Sequence, residues 1–180
     1  MFNATQPEPL DMYICFLPAS ESLKNLHWLN RLAAYMTPGK TKDKPMIHTE
    51  LLFAEQTTSN EIIGKSCSIH YNGTVFFSNK RFSRSEWHFR LCNKNWDVNK
   101  AELFCEQHVG DKFNHIGYYT QPLCNTRIST NRWFCSEIVA GALRAAGADV
   151  EECLHPNALF ESLKNCTTPS CPKNPHLDFL

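Results

Sequence analysis

The chain has 180 residues, 42% of them hydrophobic, and its 18 basic side chains equal its 18 acidic ones. This length allows one ordinary hydrophobic core, so we expect a single domain over residues 1–180. The balanced charge, without a long run of one sign, argues against nucleic acid or an acidic membrane surface as the partner.

No segment of the chain predicts export or a membrane span. Residues 1–9 lack the basic start and apolar core of a signal peptide, and no apolar run approaches transmembrane length. The nine cysteines are an odd count without CxxC pairs or Cys/His zinc spacing. We therefore expect a cytoplasmic protein with mostly free thiols and no metal or other cofactor; for a viral protein the compartment is the host cytoplasm or the virion.

The first part of the chain predicts a tail, a strand and a helix. Residues 1–9 are expected to form a loose tail, and the segment from Met12 to Leu17 predicts a short buried strand. From Ser20, leucines at helical spacing predict a packing helix that ends near Thr37. A polar connector then leads to the next strand.

The segment from Met46 to Ala54 predicts a central strand that carries a candidate base. His48 and Glu50 are two residues apart, so their side chains project from one face of the strand. A buried carboxylate needs a partner, and beside an imidazole it orients the ring and favours its charged form. We therefore expect Glu50 to hold His48.

More strands and a helix are predicted in the middle of the chain. A polar turn over residues 55–61 precedes a strand from Ile62 to Ile69, and Asn72-Gly73 indicates a hairpin that leads into a returning strand. Residues 87–91 predict a further strand. A helix from Asn99 is expected to bury Ala101, Leu103, Phe104 and Val109 and to end at Gly110.

The segment over residues 131–140 predicts a cysteine at the start of a buried helix. From Ser136 onward, apolar residues recur at three- and four-residue spacing, and Gly147 is expected to end the helix. Cys135 therefore lies in the first turn, where unpaired N–H groups and the helix dipole favour a thiolate and can receive an oxyanion. A second helix that starts with proline is predicted over residues 155–163, and residues 165–180 are expected to form an irregular tail.

A His-x-Glu strand followed much later by Phe134-Cys135-Ser136-Glu137 resembles the circularly permuted papain-like hydrolases of the NlpC superfamily. That group includes the bacterial YiiX-type proteins, a poxvirus group and the lecithin–retinol acyltransferases. The likeness covers roughly residues 45–163, and the order of His before Cys is that of the permuted branch. It implies an α+β, permuted papain-like fold with a central antiparallel sheet packed against the nucleophile helix. It also implies Cys135 as nucleophile, His48 as base and Glu50 as orienting group.

The resemblance extends to the residues around the nucleophile. In the acyltransferase relatives a second histidine on a following strand orients the base, which makes His70 the alternative to Glu50. His115, in an aromatic loop, is an alternative base. Four residues are expected to line the substrate cleft: Phe113, Asn114, Tyr118 and Trp133.

These features predict a thiol hydrolase that cleaves an amide or ester bond through a thioester intermediate. The expected substrate is a peptide, an amide or a lipid ester. Two alternatives come from other classes: an acyltransferase in which another nucleophile replaces water, and a noncatalytic, viral-type binding protein that keeps the fold. The sequence leaves the oligomeric state open.

Overall fold

The architecture is an antiparallel sheet with helices packed on it. The computed structural model describes residues 11–19, 45–70, 73–115, 132–152, 155–163 and 168–169. Within them the α+β class expected from the sequence is confirmed. The strands are β1 (Asp11–Pro18), β2 (Met46–Thr57), β3 (Glu61–Ile69), β4 (Val75–Ser83), β5 (His88–Leu91), β6 (Lys112–Phe113), β7 (Arg132–Trp133) and β8 (Thr168–Pro169). The helices are α1 (Val98–Gln107), α2 (Cys135–Ala145) and α3 (Pro156–Ser162).

The main sheet contains six strands in the order β4-β3-β2-β1-β5-β8. All of its neighbouring pairs are antiparallel, and β2, β3 and β4 follow one another as a meander with short connections. A separate parallel pair joins β6 to β7, in which Phe113 lies opposite Trp133. This small pair brings the segment that follows α1 next to the segment that enters α2.

The sheet separates two apolar clusters. The larger one contains Leu51 and Phe53 of β2 together with the buried side of α2. The smaller one contains Leu52 and Ala54 of the same strand, with Phe82 of β4. Because successive side chains of a strand point to opposite faces, these clusters lie on opposite sides of the sheet.

Helix α2 is the most deeply buried helix of the described chain, since every residue from Cys135 to Leu143 is buried. It packs against β2, β3 and α1. The contact with α1 is close at Gly141, where a β-carbon would lie 2.6 Å from the ring of Phe104. The predicted stop at Gly147 is confirmed, because this residue has a φ of 93° and follows the helix directly after its C-cap.

The apolar face predicted for α1 is wrong in two positions. Leu103 is 53% exposed and Val109 is 54% exposed. The helix buries Ala101, as predicted, and also Cys105, which lies one turn away and faces the same sheet cluster. Phe104 is partly buried, as the contact with Gly141 requires.

Two strand boundaries also differ from the prediction. The polar turn predicted over residues 55–61 is shorter, because β2 continues to Thr57 through a bulge at Glu55. The predicted irregular tail over residues 165–180 contains β8, which pairs with β5 at the sheet edge. The tail predicted for residues 1–9 and the helix predicted from Ser20 lie outside the described residues.

The described cysteines are all free and buried: Cys15, Cys67, Cys92, Cys105 and Cys135. Burial raises the pKa of the Cys15 thiol and of the Cys92 thiol, so both are expected to react slowly. None of the described helices is long and apolar enough to cross a membrane.

Gly64 allows the backbones of β2 and β3 to approach closely beside the bulge. A β-carbon on Gly64 would overlap the carbonyl oxygen of Phe53. We expect Gly64→Ala to lower the free energy of unfolding by about 2 kcal/mol, because the two strands must separate. Urea unfolding followed by tryptophan fluorescence measures the change. Gly73→Ala is the matched control, since its nearest atom would be 3.6 Å away; an equal loss in both variants would contradict the close approach.

Candidate functional site

Cys135 is the first residue of α2, at the positive end of the helix dipole. The N-cap before it is Phe134, whose backbone is extended. The carboxylate of the buried Glu137 accepts the backbone N–H of Phe134 at 2.7 Å, which fixes the chain as it enters the helix. Cys135 is 8% exposed, so the thiol lies at the boundary of the core.

His48 and Glu50 project from one face of β2, as strand geometry predicts. The Nε2 atom of His48 lies 3.1 Å from Oε1 of Glu50. Directly before His48 the ladder between β1 and β2 skips Ile47, and such a bulge re-aims the side chains beside it. The Cys135 side chain lies close enough to the imidazole to raise its pKa. The structure thus brings the three predicted catalytic residues into one group.

Cys135 and Glu50 favour the charged form of His48, and His48 favours the charged form of Glu50. Burial alone would lower the pKa of His48, but the charge and hydrogen bond of Cys135, together with Glu50, raise it to about 10. Burial alone would raise the pKa of Glu50, but His48 and Lys80 lower it to about 2. At neutral pH the imidazole is therefore protonated and the carboxylate ionised. This is the charge state in which an imidazolium stabilises a neighbouring thiolate.

Two residues that sequence reasoning missed hold the Glu50 carboxylate. The hydroxyl of Ser66 donates to Oε2 at 2.6 Å, and Nζ of Lys80 donates to Oε1 at 2.5 Å. The Glu50 side chain has no exposed surface, so it needs such partners. The observed register of β3 and β4 places Lys80 opposite Gly64, on the side of the sheet that carries Glu50.

Aromatic rings surround the Lys80 ammonium group. It lies 5.5 Å from the ring centre of Phe76, 5.2 Å from that of Phe82 and 5.6 Å from that of Trp87. The Trp87 ring is also 6.1 Å from the His48 ring. These contacts favour a cation at this position and restrict the freedom of the lysine side chain.

His70, the alternative orienting residue, lies on the face of the His48 ring. The two rings stack with centres 5.4 Å apart and planes 19° apart, and His70 also stacks on Phe76. Desolvation and the charge of His48 lower the pKa of His70. Of the two candidates, Glu50 is the one that contacts a ring nitrogen of His48.

The predicted cleft residues occupy different environments. Trp133 is buried, and its indole N–H donates to Asp111 at 2.8 Å, so its polar atom is paired away from the thiol. Asn114 is buried, and its backbone N–H donates to the carbonyl of Trp133 at 3.1 Å. This bond continues the β6–β7 pair and places Asn114 beside the start of α2. Tyr118 lies outside the described residues.

The rings of Phe113 and His115 lie beside the segment that enters α2. Phe113 is buried and meets the ring of Phe134 edge to face at 5.7 Å. The ring of His115, the alternative base, packs against Phe113 at 5.1 Å. His48 interacts with Cys135.

The arrangement supplies the three functions that acyl transfer needs. They are a nucleophilic sulfur, a proton carrier held by a carboxylate, and the backbone N–H groups of a helix start that can receive an oxyanion. In the described part of the chain, no three His, Cys, Asp or Glu side chains come together as metal ligands. Comparison of the chain with protein-family models, curated proteins and solved structures finds no match.

Proposed function

We propose that this protein is a cysteine hydrolase that cleaves an amide or ester bond through a thioester on Cys135. The observation that supports this most is the contact between Cys135, at the first turn of α2, and the His48–Glu50 pair. Packing alone does not call for an ionisable pair at a helix start, whereas a cysteine nucleophile requires one.

In the first half of the proposed reaction, the Cys135 sulfur attacks the carbonyl carbon of the substrate and the carbonyl oxygen becomes an oxyanion. The N–H groups of the first turn of α2 stabilise that charge. His48 then donates its proton to the leaving amine or alcohol as the bond to that group breaks. The acyl group remains on the sulfur as a thioester, and His48 is left neutral.

In the second half, neutral His48 removes a proton from water as the water oxygen attacks the thioester carbon. The oxyanion forms again at the helix start, and its collapse releases a carboxylic acid and the thiolate. Glu50 keeps its negative charge throughout, since His48 and Lys80 lower its pKa and the Ser66 hydroxyl fixes its other oxygen. Its role is to orient the imidazole and to stabilise the protonated ring.

We assign this site to a permuted papain-like fold. The chain order supports the assignment, because the strand with His48 precedes the helix with Cys135. The antiparallel sheet with the helix of Cys135 packed on β2 and β3 also supports it. The same site with an alcohol or amine in place of water would be an acyltransferase, and the assay below separates the two outcomes.

The test is pre-steady-state release of nitrophenol from 4-nitrophenyl acetate. We expect a burst of about one equivalent per protein chain, because acylation of Cys135 releases nitrophenol before the thioester is hydrolysed. Mass spectrometry of the trapped protein should place the acetyl group on the Cys135 peptide, and neutral hydroxylamine should remove it. An acyl-enzyme that persists in water but discharges to an added alcohol would indicate a transferase.

Matched variants control this experiment. Cys135→Ser and His48→Ala should lose the burst, whereas Cys92→Ser, which changes a buried thiol elsewhere in the core, should keep it. Acetylation spread over several cysteines, or a burst that survives in Cys135→Ser, would refute the proposal and favour a binding protein that keeps the fold.

A further inference from the structure

Two cationic side chains contact the same carboxylate oxygen of Glu50. His48 Nε2 and Lys80 Nζ both lie within hydrogen-bond distance of Oε1, at 3.1 and 2.5 Å, while Ser66 occupies Oε2. The imidazole is therefore not the only cationic group that contacts this carboxylate oxygen. The lysine shares the same lone pairs and the same negative charge.

The position of Lys80 is well defined. Its side chain is 32% exposed, and its ammonium group lies among the rings of Phe76, Phe82 and Trp87. Rings on several sides keep a cation in place better than a solvated surface pair does. A charge held this firmly acts on the carboxylate at all times.

We propose that Lys80 is a positioning residue of this site, which fixes the Glu50 carboxylate and offsets its negative charge where the carboxylate meets His48. The proposal rests on the proposed Cys135–His48–Glu50 site and extends it to a fourth side chain. Without the lysine, Glu50 would hold the imidazole proton more tightly. An imidazolium that holds its proton too tightly is a poor acid toward the leaving group, so the lysine improves the proton transfer.

The ionisable groups that face this network come from several elements. Cys135 of α2 and Glu50 of β2 interact with His48 directly, and His70 at the end of β3 stacks on its ring. Cys15 of β1 lies opposite Glu50 and stays protonated because burial raises its pKa. Among the described residues, Lys80 is thus the cation that counters Glu50 apart from His48 itself.

The test is an NMR titration of the His48 imidazole in a Cys135→Ala background, which removes the strong influence of the thiolate. Lys80→Gln keeps a donor to Oε1 but removes the charge, so it should raise the pKa of His48 by about one unit. Glu50→Gln removes the negative charge and should lower that pKa by a similar amount. Lys80→Arg retains the cation and should leave the value within about 0.3 unit.

The opposite signs separate this role from a merely structural one. If Lys80 only kept Glu50 in place, Lys80→Gln would lower the His48 pKa, as Glu50→Gln does; that result, or no shift, would overturn the proposal. Lys80→Met, which is apolar and suits the surrounding rings, is titrated in parallel. If neither neutral variant folds while Lys80→Arg does, Lys80 is structural and the proposal also fails. The titration measures the His48 pKa and not turnover. Its outcome therefore does not depend on whether the nitrophenol burst is observed.

Discussion

Iodoacetamide is expected to alkylate Cys135 faster than any other described thiol at about pH 6, and His48→Ala is expected to slow that reaction about tenfold or more. At this pH an isolated thiol is almost fully protonated. The proposed site places an imidazolium beside the sulfur, and a neighbouring cation favours a reactive thiolate. Mass spectrometry of the labelled peptides gives the rate for each cysteine separately.

The chain supplies controls for this measurement. Cys15 and Cys92 are buried thiols with raised pKa values, so they should react slowly in both proteins. His88→Ala removes an exposed histidine from β5 and should leave the Cys135 rate unchanged. His48→Asn repeats the main test with less lost volume. If Cys135 reacts no faster than Cys15, or is indifferent to His48, the thiolate and imidazolium do not form a pair.

Glu50→Ala is expected to lower the free energy of unfolding by about 3 to 4 kcal/mol. The substitution removes the buried partner of His48, Ser66 and Lys80 at once. It leaves a cation whose side chain is only 32% exposed without its anion. Urea denaturation of the wild type and the variant measures the difference.

A second substitution identifies the source of that loss. Adding Lys80→Met should recover about half of it, because the apolar side chain suits the surrounding rings and no unpaired charge remains. The matched control is Glu61→Ala, which breaks the exposed pair with Arg81 on β3 and β4 and should cost less than about 1 kcal/mol. Similar losses in Glu50→Ala and Glu61→Ala would show that the Glu50 network contributes no more than a surface ion pair.

The sequence predicted the regular parts of the fold because they have local signals. The alternation around His48 and Glu50 gave the strand and the face that they share. The helical spacing after Cys135 gave α2, and Gly147 gave its end. The burial pattern of α1 was predicted only in part: Ala101 was expected on its apolar face, but Cys105, whose small side chain gives a weak apolar signal, was not.

The support around Glu50 could not be predicted in the same way. Lys80 and Ser66 reach the carboxylate from two other strands, and only the strand register brings them there. A bulge at Glu55 changes that register within β2, and no local pattern in the sequence marks it. Contacts that depend on the register of several strand pairs at once therefore cannot be predicted from local sequence patterns, whereas the structure shows them directly.

The position of the site residues along the chain suggests the sequence in which the site assembles during folding. His48, Glu50, Ser66 and Lys80 all belong to the β2–β3–β4 meander, whose strands pair with their neighbours along the chain. Local pairings form early, and a ribosome delivers these strands long before Cys135. The acid–base half of the site can thus be complete while the nucleophile is still unsynthesised. Because Cys135 meets His48 only once α2 has packed on this meander, the reactivity of the thiol is expected to report that docking step.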